Sequence, residues 1–147
     1  MIRFEKFKQD DFENYYRLVT NFNTMDRLGK LVYSRDEALI KFLQLLDQEV
    51  YRIFDGDKEL GLAKLLITNH EGQIGYLLLP EYWKLGYGQL IVAKLVALAR
   101  VHDLDLIYDL IDPSDELLYQ AMCENGFVIV EPEMSDGQAK IRLELKL

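Results

Sequence analysis

Several residue types that mark common protein classes are scarce in this chain of 147 residues. It has one cysteine, Cys123, which cannot close an internal disulfide and so fits a reducing compartment. Two histidines are too few for a histidine-rich metal centre, and no metal is expected. No apolar run approaches the length needed to cross a bilayer, and the opening "MIRFEKFKQDDF" lacks the apolar core of a secretory signal. The expectation is a cytoplasmic protein that engages no membrane. Positive charge is also short: 17 Lys and Arg stand against 25 Asp and Glu, a formal net charge of -8. Phosphate backbones are held by clustered cations, so a nucleic-acid partner is not expected. The negative balance suits a cationic partner, and it equally suits plain solubility.

What is present describes a folded domain. Half of the residues are hydrophobic and 29% are charged, which separates the chain from disordered and fibrous proteins. With no repeat, linker or low-complexity stretch, a single domain over residues 1–147 is expected. "IRF" reads as a short half-buried strand, and a helix should begin near Asp10 or Asp11, with Phe12, Tyr15, Tyr16 and Val19 at helical spacing. "NFNTMDRLGK" looks like a connection or a broken helix. In "SRDEALIKFLQLLDQ", Ser34 and Glu37 form a capping-box pattern, and Leu39, Phe42, Leu43 and Leu46 make the expected buried stripe. "EVYRIF", "LGLAKLLI" and "QIGYLLL" are strands separated by Asp-, Asn- and Gly-rich turns, hence an antiparallel meander. "GQLIVAKLVALARVH" is a strong helix and "LDLIYDLI" a strand. In "DPSDELLYQAMCENGF", Asp112 is the expected cap, Pro113 the first helical residue, and Asn125-Gly126 the stop. "FVIVE" and "AKIRLELKL" close the chain as paired strands.

The stretch "LLLPEYWKLGYGQLIVAKLVALAR" raises the first chemical question. A strand gives way at Pro80 to a loop in which Gly86 and Gly88 open a helix. Helix N-termini carry N–H groups without intrahelical acceptors and a positive partial charge, and glycine lets an anion approach them. The two glycines serve either a tight turn or a phosphate cradle; spacing alone leaves both open.

The segment "QIGYLLLPEYWKLGYGQLI", followed by "IDPSDELLYQAMCENGF", resembles the GNAT superfamily of acetyl-coenzyme A dependent N-acetyltransferases. It is most similar to the branch acting on ribosomal-protein N-termini, polyamines and antibiotics. The resemblance covers nearly the whole chain. It implies a mixed α/β (α+β) single-domain acyl-CoA N-acyltransferase fold, with a central, mostly antiparallel mixed sheet flanked by helices.

The resemblance also assigns roles. Backbone groups of Lys84, Leu85, Gly86, Tyr87, Gly88 and Gln89 would hold the pyrophosphate of acetyl-CoA. Tyr76, Leu77 and Leu78 would run along its pantetheine arm, with a main-chain N–H near Leu78 polarising the thioester carbonyl. Met122 stands where many relatives carry the tyrosine that protonates the leaving thiolate. Tyr119, one turn earlier, either takes that role or packs as an ordinary half-buried tyrosine. Gln73 stands where relatives use a glutamate base, leaving Glu71 and His70 in the preceding turn as candidates or as solvated residues. Asp115, where relatives carry an asparagine, suits a helix start. The implied activity is transfer of an acetyl group from acetyl-CoA to a primary amine of a small molecule or peptide, by direct attack in a ternary complex. The alternative is a non-catalytic CoA-binding or sensory protein on the same fold. A monomer or homodimer is expected.

Overall fold

The computed structural model describes residues 1–21, 34–135 and 137–147. Among these residues lie four α-helices and seven strands. In chain order they are β1 (Ile2–Lys6), α1 (Phe12–Val19), α2 (Arg35–Leu45), β2 (Glu49–Asp55), β3 (Lys58–Thr68), β4 (Glu71–Leu78), α3 (Tyr87–Val101), β5 (Leu106–Ile111), α4 (Glu116–Glu124), β6 (Val128–Ser135) and β7 (Gln138–Lys146). One sheet holds the strands in the order β1-β2-β3-β4-β5-β7-β6. The pairs β1–β2, β5–β7 and β6–β7 are antiparallel, and β4–β5 is parallel. This is the mixed, mostly antiparallel architecture that the resemblance implied. Most of "NFNTMDRLGK", including Phe22, lies outside the described residues.

The chain forms two compact units, Met1–Lys64 with Tyr76–Trp83, and Leu65–Gly75 with Lys84–Leu147. In the first, α1 and α2 bury an aromatic cluster centred on Phe42, whose ring lies 5.3 Å from Tyr15, 5.6 Å from Phe12 and 5.9 Å from Phe7. Leu18, Val19, Ala38, Val50, Leu62 and Leu79 complete that core, with Tyr16 packed at its edge. Ser34 caps α2 by accepting from the Glu37 N–H at 3.2 Å. The stripe on α2 differs from the expected one. Ala38 and Phe42 are buried, whereas Leu39 and Leu43 are 41% and 47% exposed. The helix is rotated so that its small residue, Ala38, meets the core, which lets the Phe42 ring reach the other aromatics.

A half-buried ionic network ties the helical side of this unit to its strands. Arg52 on β2 pairs with Asp11 at 3.0 Å and with Glu59 at 2.5 Å, and Asn14 on α1 donates to Glu59 at 3.2 Å.

In the second unit α3 buries Ile91, Val92, Leu95 and Ala99, one face of the helix. Both α3 and α4 end in the same six-residue stop, in which a left-handed residue turns the chain so that two orphan carbonyls are satisfied. After α3, Asp103 is left-handed (φ 56°) and Leu104 donates to Ala99 at 3.3 Å. After α4, Gly126 is left-handed (φ 90°) and Phe127 donates to Met122 at 3.1 Å. The start of α4 lies later than expected. Asp112 accepts from the backbone N–H and hydroxyl of its neighbour Ser114. That local turn takes up Asp112 and Pro113, and Asp115 becomes the cap, accepting from Leu118 N–H at 3.2 Å.

Candidate active site

The site is built from β4 outward. In the first unit β4 lies close against β3 because Gly61 has no side chain: a Cβ there would sit 1.8 Å from the Leu77 carbonyl oxygen. Leu79, just past the strand, donates its N–H to the Leu60 carbonyl at 2.9 Å. Successive strand residues turn their N–H groups to opposite edges, so the Leu78 N–H is directed away from β3. Leu78 is buried, while Tyr76 and Leu77 are half-buried. After the strand, Pro80–Tyr82 makes one 3-10 turn. The Trp83 indole N–H closes it by donating back to the Leu78 carbonyl at 2.9 Å.

In the second unit the loop Lys84–Gly86 leads into α3. Lys84 has a left-handed backbone (φ 60°), rare for a residue with a side chain. Gly86 is the N-cap of α3 with φ 85°, and no side chain caps the helix there. A Cβ built on Gly86 would meet nothing within 4 Å. The glycine therefore serves backbone conformation, and the space in front of it is open. Tyr87, Gly88 and Gln89 form the first helical turn, where N–H groups lack intrahelical acceptors. The start of α3 is braced from α4: the Asn125 side-chain amide donates to the Gln89 carbonyl at 3.0 Å and to the Ala121 carbonyl at 2.8 Å.

The parallel ladder joins Glu71–Gln73 of β4 to Leu106–Tyr108 of β5. Asp109 follows directly on β5 and is 9% exposed. Its Oδ1 accepts from the Gln73 side-chain amide at 3.2 Å and from the Leu110 N–H at 2.8 Å. Glu71 is the first residue of β4 rather than part of the turn, and it is exposed, as is His70. The pair borders an open groove with Leu66, Thr68, Asn69, Asp105 and Tyr108. On α4, Met122 is fully buried and Tyr119 is 37% exposed. A hydrogen bond with the Cys123 side chain one turn on, helped by their electrostatic interaction and by partial desolvation, holds the Tyr119 phenol above its usual pKa.

The acetyltransferase (GNAT) domain model matches residues 2–128. The chain belongs to the GNAT acetyltransferase family. The fold of this GNAT domain is similar to that of spermidine N-acetyltransferase from Vibrio cholerae in complex with CoA and spermine. The TM-score is 0.84 at 17% identity, over 99% of this chain and 95% of that one. It is similar as well to an aminoglycoside acetyltransferase in complex with coenzyme A, with TM-score 0.87, 14% identity, and 99% and 95% of the two chains. Ribosomal-protein-alanine N-acetyltransferase from Brucella melitensis superposes with TM-score 0.79 at 12% identity, over 100% and 99%. At such identities the likeness is one of fold. No curated protein sequence matches the chain.

Within this GNAT domain, Gly86, Tyr87, Gly88 and Gln89 meet at one helix start, preceded by Lys84 and Leu85, both exposed. Tyr76, Leu77 and Leu78 share the end of β4. Glu71 stands at the opposite end of that strand from Leu78, seven residues away along the chain. The contacts made by Trp83, Asn125, Gly61 and Asp109 are not among those the sequence led one to expect, although Asn125 was expected at the helix stop. For Asp109 a signal existed: in "LIYDLI" it shares the parity of Ile107 and Ile111, both buried, so a carboxylate stands on the buried face of a strand. For Trp83 and Asn125 no spacing rule applied, because each acts by one hydrogen bond to a carbonyl set by the fold.

Proposed function

We propose that this chain transfers an acetyl group from acetyl-CoA to a primary amine of a small molecule or peptide, by direct attack in a ternary complex. The observation that carries the reading is the uncapped start of α3 at Gly86, left-handed, with open space where a side chain would stand. Such a start fits a pyrophosphate, since main-chain N–H groups and the positive helix end both favour an anion. Lys84 adds a cation two residues earlier. Acetyl-CoA, when bound, supplies the thioester whose carbonyl carbon is attacked.

The chain's own groups do the rest. A main-chain N–H near Leu78 serves as the hydrogen-bond donor for a developing oxyanion, and Tyr76 and Leu77 align the pantetheine arm. Tyr119 keeps its proton in the neutral range and serves as the donor to the departing sulfur. The neighbours of known name support an amine acceptor: one is crystallised with spermine, and another acts on aminoglycosides. Both are cationic classes, which agrees with the charge of -8.

A thermal-shift titration with acetyl-CoA and with desulpho-CoA tests the reading. Ligand bound to the folded state must raise its stability. The expected result is stabilisation by both, followed by thiol release on adding spermidine, an aminoglycoside or an alanine-terminated peptide. No stabilisation at millimolar ligand would refute it. Stabilisation without thiol release would favour a CoA-binding protein that does not transfer, a reading supported by Met122, which is buried and cannot donate a proton.

A further inference from the structure

A cluster of rings and charges at the start of α1 plays no part in the proposed acetyl transfer. Phe12 and Tyr16, one turn apart on α1, stack with their centroids 5.7 Å apart and their planes 26° from parallel. The Arg35 guanidinium lies over both rings, its central carbon 5.1 Å from the Phe12 centroid and 5.2 Å from that of Tyr16. Glu13 accepts from both terminal nitrogens of Arg35, one on each carboxylate oxygen, with the Nη1 contact at 3.4 Å. We propose that Phe12, Glu13 and Tyr16 form a binding site for a small monoalkylguanidinium compound, in which Arg35 is the chain's own exchangeable placeholder.

The two rings are set from behind. Phe12 meets the buried Phe42 ring edge-on at 5.6 Å, and both Phe12 and Tyr16 pack against the core of the first unit. They therefore keep their orientation whichever cation lies above them. Arg35 is not needed to hold α2, which is fixed by the Ser34 cap and by burial of Ala38 and Phe42. The Arg35 and Glu13 side chains are 58% and 67% exposed, so solutes reach them, and an ion pair so exposed adds little stability. The half-buried Arg52 is the arginine that ties this unit together. Arg35 is also the first residue of α2, at the positive end of the helix dipole, where a cation is disfavoured. Asp36 and Glu37 offset part of that cost. A free guanidinium brings no helix end with it, and it restores each contact that Glu13 and the rings lose when Arg35 swings out.

The ligand class follows from these groups. A guanidinium is planar, so it lies flat on aromatic faces while its fork of N–H donors addresses both oxygens of a carboxylate. An ammonium ion, with three donors in a tetrahedral array, does not combine the two contacts. Because both terminal nitrogens face Glu13, one alkyl group on the third nitrogen is accommodated, as it is in Arg35 itself. No bond is made or broken, and the inference goes beyond the acetyl-transfer reading without depending on it.

The test titrates ethylguanidinium chloride into wild type and Arg35→Ala at constant ionic strength and follows the amide NMR shifts of residues 12–16. Arg35→Ala, whose site is vacated, is expected to bind about tenfold more tightly than wild type, where Arg35 competes. Ethylammonium is expected to bind Arg35→Ala several-fold more weakly than ethylguanidinium does. Adding Glu13→Gln to Arg35→Ala is expected to weaken ethylguanidinium binding about tenfold, because the charged, two-pronged acceptor is lost. Arg35→Gln stands in if Arg35→Ala fails to fold. No saturable shift in Arg35→Ala would overturn the site, and equal affinity in wild type and Arg35→Ala would overturn the placeholder role. Equal binding of ethylammonium, or an unchanged affinity on adding Glu13→Gln, would overturn the guanidinium assignment. Acetyl-CoA is absent from every arm, so failure of the acetyl-transfer reading would leave this outcome unaltered.

Discussion

Replacing Gly86 separates the conformational role of the glycine from its role at the anion site. Its φ of 85° is a left-handed conformation that costs a residue with a side chain about 1–2 kcal/mol. A Cβ there meets nothing within 4 Å, so no steric clash adds to that figure. Gly86→Ala and Gly86→Glu should therefore lower folding stability by the same amount, about 1–2 kcal/mol, read from urea unfolding without ligand. Their acetyl-CoA affinities should differ. The Glu variant sets a negative charge beside a pyrophosphate, and two unit charges at about 4 Å repel by about 1 kcal/mol in water and about 4 kcal/mol near a protein surface. At 1.36 kcal/mol per decade this is a loss between about fivefold and about 900-fold relative to the Ala variant, smaller at high salt. Titration calorimetry in low and high salt measures it. Equal affinity of the two variants would show that no anion sits at this helix start. Higher stability of Gly86→Ala than of wild type would refute the conformational argument.

Other outcomes follow from single contacts. Asn125→Ala removes both side-chain bonds to the Gln89 and Ala121 carbonyls, and it should cost about 1 kcal/mol of stability and weaken acetyl-CoA binding more than Asp115→Ala, which removes the cap of α4. Thermal unfolding and calorimetry check the pair, and equal affinity in the two variants would remove the bracing role. Asp103→Gly relieves a left-handed aspartate and removes a negative charge from the negative end of α3; the expected gain is about 1 kcal/mol, or about 2–4 °C in melting temperature. Tyr119→Phe should lower kcat with little change in the KM for acetyl-CoA. Because the hydrogen bond to Cys123 raises the Tyr119 pKa, the phenol stays protonated through mildly alkaline pH. A wild-type rate that falls well below the ordinary tyrosine value of about 10, with the fall abolished in Tyr119→Phe, would contradict that sign.

The parts of the molecule legible in the sequence are those set by local chemistry. The turn-bounded run "QIGYLLL", the Ser34 cap, and the Asn125-Gly126 stop act within a few residues, and the corresponding elements formed where they were expected. Errors arose where a local signal had a competitor. Asp112 is as good a cap as Asp115 by residue type, and Ser114 decided between them by folding back onto Asp112. Leu39 and Leu43 are as apolar as any core residue, and the rotation of α2 was decided by the demand of Phe42 for aromatic neighbours distant in sequence.

The same division runs through the candidate site and explains its character. The proposed cradle consists of main-chain groups, whose arrangement depends on a left-handed glycine followed by a helix, a pattern that a sequence writes openly. The acid and base are side chains that need only arrive at the right place, and they can arrive from any neighbouring element. Gln73 illustrates this: its side-chain amide donates to Asp109 on the adjacent strand, a contact set by the fold and by no sequence spacing. In the proposed reaction, main-chain N–H groups near Leu78 and at the start of α3 would not depend on which residue donates or accepts the proton. A polar residue at a buried parity, Asp109 between Ile107 and Ile111, is a signal of this kind that the sequence carries in the alternation of a single strand.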